Sequence, residues 1–308
     1  MRWTNYLSRT DQAVHSALLV EGELLALDRP LIDLLNSDVP LHGWADRAMA
    51  RPWERCAAED ADLLAPIPRP PSVRDFMAFE NHVVTSYAAL DTEVSPVWYD
   101  QPVFYFTNPA AILGPRDMVP MAPGTARFDY ELEVAAVIGR SGADLHPETA
   151  EDHIAGYVIF CDWSARDLQT TEMEVGLGPA KGKDTATSLG AYLVTPDELE
   201  PFRKGRGFDL RMNVAVNGRV YSSGNWSDLY WSFGEMLAYA SRGTHLRPGD
   251  IIGSGTVGTG CILELSLTHG EAAYPWLRPD DEVLIEIEQL GAIRTKITTS
   301  SAAPIPLR

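Results

Sequence analysis

Phe128-Asp129-Tyr130-Glu131-Leu132-Glu133-Val134-Ala135-Ala136-Val137-Ile138 is the stretch from which the fold reads most directly. It alternates with period two. Tyr130, Leu132 and Val134 fall on one face and Asp129, Glu131 and Glu133 on the other, the pattern of a β-strand. Carboxylates two apart on a strand start ~6–7 Å from one another at the backbone. Pointed together into a pocket, they raise one another's pKa unless a cation bridges them. Pointed at water, they are simply the polar side of an edge strand. The stretch alone admits both.

Strand signals continue on either side of it. VFYF (103–106), GYVIF (156–160), AYLVT (191–195), CILELSL (261–267) and DEVLIEIE (281–288) read as strands. So do 209–216 and 219–223, joined by Asn217-Gly218 as a type I′ hairpin turn. One helix is expected near 228–241, and Arg247-Pro248-Gly249-Asp250 turns the chain into IIGSGT. The first part of the chain reads as strands 2–7, 14–20 and 23–27, with a tight turn at Glu21-Gly22, then helices near 29–37 and 41–57. Residues 65–71 carry four prolines in seven positions, which excludes helix and central strand and makes a stiff connector. Ser72 then reads as the N-cap of a helix over 72–90. The expected fold class is α+β and β-dominated, with a small N-terminal α+β domain over 1–66 and a larger domain over 67–308.

Composition narrows the function. The 308 residues carry a net charge of −18, so a phosphate backbone or an anionic membrane would be repelled. Hydrophobic residues at 45% and charged residues at 22% are a globular balance, which argues against disorder. Cys56, Cys161 and Cys261 are odd in number and far apart, so they read as buried free thiols in a reducing cytoplasm. No apolar run suggests a signal peptide or a membrane span, and the sequon Asn225-Trp226-Ser227 is expected to stay bare. Gly253-x-Gly255-x-x-Gly258 matches a dinucleotide fingerprint, but the residues after it alternate like a strand instead of opening a helix. Histidines 15, 42, 146, 153, 245 and 269 lack metal-type spacing.

Chemistry concentrates elsewhere. GYVIFCDWSARDLQ is an apolar strand ending in Asp162, with Ser164 as the expected N-cap of a helix and Asp167 at its third position. Arg166 and Gln169 share a face of that helix, and the glycine-rich loop after it carries Lys183. Hard oxygen ligands without clustered His or Cys favour Mg²⁺, Ca²⁺ or Mn²⁺ over zinc. On the helix expected after the connector, Asp75, Phe79 and His82 are spaced i, i+4, i+7, so Asp75 and His82 share a face. A histidine with a carboxylate partner is a general-base candidate, and Glu264, within CILELSL, could be that partner or simply an outward position on a strand.

Taken together, PPSVRDFMAFENH (70–82), YELE (130–133), DWSARDLQ (162–169), the Lys183 loop and GTVGTGCILEL (255–265) resemble the fumarylacetoacetate hydrolase family, over roughly residues 68–300. The resemblance implies a mixed β-sandwich roll behind a small N-terminal domain, commonly as a homodimer. It implies a divalent-metal site of Glu131, Glu133 and Asp162, with Asp75 as a further ligand or outer group and Mg²⁺ foremost. It also implies His82 as the base that activates water, held by Glu264, and Arg166, Gln169 and Lys183 facing the substrate. Tyr105 and Thr256 match substrate-contacting positions. The activity so implied is hydrolysis of a C–C bond in a β-diketo acid, with the ion as Lewis acid. The alternatives within the family are a 2-oxo acid decarboxylase, a sugar-acid dehydratase or a tautomerase; a non-catalytic ligand-binding protein is the bland reading. Two positions depart from the pattern: Met77 stands where the namesake hydrolase has a tyrosine, and no arginine lies between Met77 and Tyr105. Fumarylacetoacetate itself is therefore not the expected substrate.

Overall fold

In the computed structural model, which describes residues 1–88 and 92–300, the Leu132–Ile138 strand runs through the middle of a thirteen-stranded sheet. It pairs antiparallel with Ile154–Asp162 on one side and Ile251–Gly253 on the other. Every residue in it is buried, so the edge-strand alternative falls. Leu132, Val134, Ala136 and Ile138 pack into a core shared with Val214, Val216, Ile285 and Ile293 of a second, five-stranded sheet. Ala135 and Val137, on the opposite face, pack with Leu31, Leu34 and Trp44. Two buried faces account for the apolar end of the strand, and the polar end is reserved for Glu131 and Glu133.

The large sheet is mostly antiparallel, with Ile251–Gly253 parallel to Val73–Phe76 and Thr187–Leu189 parallel to Ile112–Leu113. The five-stranded sheet also mixes directions, Gly291–Thr298 pairing parallel with Val119–Pro120. This is the expected β-dominated α+β architecture with mixed sheets. The strands Arg2–Leu7, Val14–Val20 and Glu23–Leu27 extend the large sheet through the pairing of Arg2–Leu7 with Leu193–Val194. The sheet thus continues across the proline connector in space. Turn chemistry behaves as expected: Glu21-Gly22 and Asn217-Gly218 all adopt positive φ at their hairpins.

Several elements differ from expectation, each for a nonlocal reason. The helices expected over 29–37 and 41–57 are Leu31–Leu35 and Leu41–Ala50, and the chain then enters the Arg55–Ala57 strand, which pairs with Glu23–Leu27. The helix expected over 72–90 (89 and 90 lie outside the described residues) is instead the strand Val73–Phe76 followed by the helix Glu80–Ala88. Val73–Phe76 is held between Ile251–Gly253 and Phe104–Thr107, and Ser72 donates its hydroxyl to Asp250 (2.7 Å) rather than capping a helix. Conversely, CILELSL is no strand: Ile262–His269 is a helix. Near 228–241 the helix is Phe233–Ala240, closed at its start by a Ser232–Glu235 capping box. Ser164 does not cap the helix Arg166–Met173; it bonds the Asp162 carbonyl, while Asp167 accepts from the Thr125 hydroxyl and the Ala126 N–H. Cys161 and Cys261 are buried free thiols, but Cys56 is half-exposed. Among the described residues no helix is long and apolar enough to cross a membrane.

Candidate active site

Asp75 reaches the site from a strand and His82 from the helix behind it, so the shared helix face expected for the two does not exist. They meet nonetheless, because Val73–Phe76 lies beside Ile251–Gly253, which lies beside the strand of Glu133. A cavity of about 420 Å³ opens there. Asp75, His82, Tyr105, Glu131, Arg166, Gln169, Lys183 and Thr256 line it. Glu133, Asp162 and Glu264 are the remaining expected residues; they are buried and bonded to, or directly beside, groups of that wall.

The carboxylates converge. Oxygens of Asp75, Glu131 and Glu133 lie within 4.8 Å of one another. Lys183 Nζ joins Glu131 (2.5 Å) and Asp162 (2.9 Å), and Arg166 stands 2.8 Å from Glu131 while donating to Asp129 (2.9 Å) and Gln169 (3.1 Å). The Tyr105 hydroxyl donates to Asp162, and the Gly255 N–H donates to Glu133 (2.9 Å). Burial would raise Glu131, but Lys183 and Arg166 outweigh it and hold that carboxyl below the usual range. Glu133 has no such cation, and the charge of Lys183 offsets the burial of Asp75 only in small part. Burial pushes both well above the usual range, reinforced by the charge of Asp162 on Asp75 and of Asp75 on Glu133. Asp75 Oδ1, Glu133 Oε1 and Asp162 Oδ1 are buried without a hydrogen-bond partner. Asp162, engaged by Lys183 and Tyr105, is not within the 4.8 Å group, whereas Asp75 and Glu133 belong with Glu131 to that convergent trio, a hard donor set that suits a divalent cation. Gly253 leaves room for them: a Cβ there would lie 2.5 Å from Asp75 Oδ1 and 3.4 Å from Glu133 Oε2.

His82 Nδ1 lies 2.6 Å from Glu264 Oε1, and both side chains are buried. Glu264 faces inward from a helix, not outward from a strand. An ionised carboxylate can only accept, so in the neutral imidazole Nδ1 carries the proton and Nε2 the lone pair.

Two supporting residues escaped the sequence reading. Asp129 is wholly buried, salt-bridged to Arg166 (2.9 Å), and accepts the N–H groups of Ile262 (2.7 Å) and Leu263 (3.0 Å). It therefore satisfies the start of the Glu264 helix and sets the Arg166 guanidinium with the same carboxylate. It also fills the position at which a pyrophosphate would sit. The Gly253-x-Gly255-x-x-Gly258 match thus stays empty of meaning, although a helix does follow it. Glu172 accepts the N–H groups of Ala180 (2.8 Å), Lys181 (2.7 Å) and Gly182 (3.0 Å) and so shapes the loop that delivers Lys183. The period-two pattern had placed Asp129 on the carboxylate face; nothing local signals Glu172.

Comparison with known proteins follows the same lines. The model of the fumarylacetoacetate (FAA) hydrolase C-terminal family matches residues 72–298. Oxaloacetate tautomerase YisK of Bacillus subtilis (strain 168) is 31% identical over 242 residues, covering 77% of this chain and 73% of that one. Fumarylacetoacetase of Arabidopsis thaliana is 30% identical over 242 residues, covering 62% of this chain, which spans only 57% of that protein's length. The solved structure of fumarylacetoacetate hydrolase from psychrophilic Exiguobacterium antarcticum aligns with a TM-score of 0.72 at 25% identity, covering 97% of this chain and 99% of that one.

Proposed function

The chain belongs to the fumarylacetoacetate hydrolase family, and from that premise we propose that it is a divalent-metal-dependent hydrolase cleaving a C–C bond in a β-diketo acid of the acylpyruvate type. The observation that carries this reading is the His82–Glu264 pair, 2.6 Å apart, opening onto the same cavity as the carboxylate cluster. A decarboxylase or tautomerase needs no activated water, whereas hydrolysis does.

Glu131, Glu133 and Asp162, with Asp75, would hold the ion, Mg²⁺ first among the candidates and Mn²⁺ or Ca²⁺ next. When bound, it would supply Lewis acidity that polarises a substrate carbonyl. His82 Nε2 takes a proton from water while Glu264 steadies the imidazolium that forms. The hydroxide oxygen bonds to the substrate carbonyl carbon, and the carbonyl oxygen gains the displaced electron pair. Arg166, Gln169 and Lys183 would donate to that developing charge, and Tyr105 and Thr256 would position the acid. The C–C bond then breaks, its electron pair passing to the carbon next to the 2-oxo group, and the proton held by His82 returns to that carbon. One water is consumed and two acids leave.

All residues with these roles lie in 67–308, which we take as the catalytic unit, with 1–66 appended to it. The reading places the protein in a reducing cytoplasm as a homodimer; the three uncrosslinked cysteines support the first. Purified protein loaded with Mg²⁺ or Mn²⁺ should hydrolyse acylpyruvates and lose that activity in His82→Ala. The relatives named oxaloacetate tautomerases supply the contrary outcome. Conversion of oxaloacetate that survives His82→Ala, with no acylpyruvate cleavage by the unsubstituted protein, would replace the hydrolase by a lyase or tautomerase.

A further inference from the structure

Beside the carboxylate trio stands a second cluster with different chemistry. His82, Cys261 and Glu264 each place one ligating atom within 4.8 Å of the other two, and all three side chains are buried. Cys261 is the N-cap residue of the Ile262–His269 helix and Glu264 is its third residue, so the two stand three apart on one turn. The Glu80–Ala88 helix packs against that turn and brings in His82. No spacing in the sequence shows the group, because only the packing of the two helices assembles it.

Water activation by His82 and Glu264 makes no use of Cys261. Its thiol does not cap the helix, since Asp129 takes the N–H groups of Ile262 (2.7 Å) and Leu263 (3.0 Å), and no disulfide engages it. Glu264 holds His82 through Oε1 (2.6 Å), while its Oε2 is buried without a hydrogen-bond partner. An orphaned carboxylate oxygen beside a thiol and an imidazole points to a cation that completes the group. The donors choose the ion. Sulfur, nitrogen and oxygen together suit Zn²⁺ or Cd²⁺, whereas Mg²⁺ takes oxygen alone, as Asp75, Glu131 and Glu133 offer it. Donors of a tetrahedral zinc ion stand about 3.3–3.6 Å apart, so the 2.6 Å His82–Glu264 pair opens by about 0.7 Å and the sulfur closes in by up to about 1.2 Å. Arg166 also bears on the thiol, but its charge is matched by Asp129 (2.9 Å) and Glu131 (2.8 Å).

We propose that His82, Cys261 and Glu264 form a second, inhibitory metal site, which takes Zn²⁺ or another thiophilic divalent ion and is separate from the carboxylate site. His82 lines the cavity, so the ion enters from the substrate side. On binding, the Cys261 S–H bond gives way to a sulfur–metal bond and the proton leaves to solvent, with no change of oxidation state. Either imidazole nitrogen then ends water activation. Bound through Nε2, His82 loses the lone pair that accepts the proton; bound through Nδ1, it loses Glu264 and carries its ring proton on Nε2. The inhibition rests on the hydrolase reading, whereas the binding does not.

The test is a Cd²⁺ titration of the Mg²⁺-saturated protein, followed by the ultraviolet charge-transfer band of a cadmium thiolate. It is run in a Cys56→Ala background, so that the half-exposed thiol gives no signal. A single equivalent of Cd²⁺ should raise the band, and Cys261→Ala should abolish it; Cys261→Ser serves where alanine leaves the core short. His82→Ala and Glu264→Gln should each weaken Cd²⁺ binding by about 10–100-fold. A band that persists in a folded Cys261 variant overturns the site, as does an affinity that neither of the other substitutions moves. For the inhibition, Zn²⁺ should lower acylpyruvate hydrolysis at least about tenfold, and Cys261→Ala should stay active and need at least about tenfold more zinc for the same loss. Equal zinc sensitivity of the two proteins overturns the inhibitory role. Should no acylpyruvate be cleaved, the hydrolase reading fails separately, and the Cd²⁺ titration by itself upholds or sinks the site.

Discussion

His82 Nδ1 and Glu264 Oε1 stand 2.6 Å apart although 182 residues of chain separate them. One comes from the helix Glu80–Ala88 and the other from the helix Ile262–His269, and these two helices pack against each other. The contact holds the imidazole by Nδ1, and in the neutral ring this makes Nε2 the proton acceptor. Replacing Glu264 by Gln keeps the shape but removes the charge that steadies the imidazolium. We expect kcat to fall by about 10²–10⁴-fold with little change in KM. His82→Ala should cost a similar factor, and the double variant little more than either alone. Steady-state kinetics on an acylpyruvate give the answer; additive losses would mean that the two residues do not act as a unit.

Asp75 and Glu133 make a statement about pH. Burial first, then their acidic neighbours, raises both carboxyls. Such a group keeps its proton in the fold after the unfolded chain has lost it. The contribution of these two carboxyls to metal-free stability is therefore full in acid and is lost as pH climbs from the ordinary carboxylate range towards the raised values. A bound cation takes the place of the proton. The rise in Tm caused by Mg²⁺ or Mn²⁺ over EDTA should accordingly be larger at about pH 8 than at about pH 5. An equal rise at both would place the cation elsewhere.

Gly253 makes space for the carboxylates proposed to hold that cation. In Gly253→Ala the new Cβ would sit 2.5 Å from Asp75 Oδ1, too close for the carboxylate to stay. Metal affinity should weaken by about 10–100-fold, as when support of a ligand is lost. Titration calorimetry with Mn²⁺ measures it, with the circular dichroism spectrum unchanged as the control.

Asp129 is a stability residue as much as a site residue. Its removal takes one of two carboxylates from the buried Arg166, leaving Glu131, and strands two helix N–H groups in a dry interior. Asp129→Ala should destabilise the fold by about 3–5 kcal/mol, read from urea unfolding. A loss under about 1 kcal/mol would mean that water replaces the carboxylate at no great cost.

The boundary near residue 66 can be tested by cutting there. Residues 1–66 cover Val137, Val158, Phe160, Leu189 and Leu193, all buried in one cluster with Leu31, Leu34 and Trp44. A protein of residues 67–308 should therefore aggregate or unfold, because that apolar face would meet water. A soluble, active 67–308 would establish the boundary as one between independent units.

The sequence by itself determined a strand within 128–138, though Phe128–Asp129 separates to pair with Ser164–Ala165, both hairpin turns, the β-dominated fold class and the residue types of the site. Those signals are local. A period-two pattern, an Asn-Gly pair or a carboxylate at a strand end acts over a few bonds and survives in any context. Which strands are central was not legible, because that depends on partners such as Ile251–Gly253, more than a hundred residues away. The same cause made a strand of the expected helix at Val73 and a helix of the expected strand at Ile262. Pairing on both sides satisfied the backbone of the first, and the buried carboxylate of Asp129 satisfied the start of the second. Tertiary structure alone decided that Glu131 faces a pocket and Glu133 is buried beside it, since burying Glu131 is tolerable only where Lys183 and Arg166 can meet it.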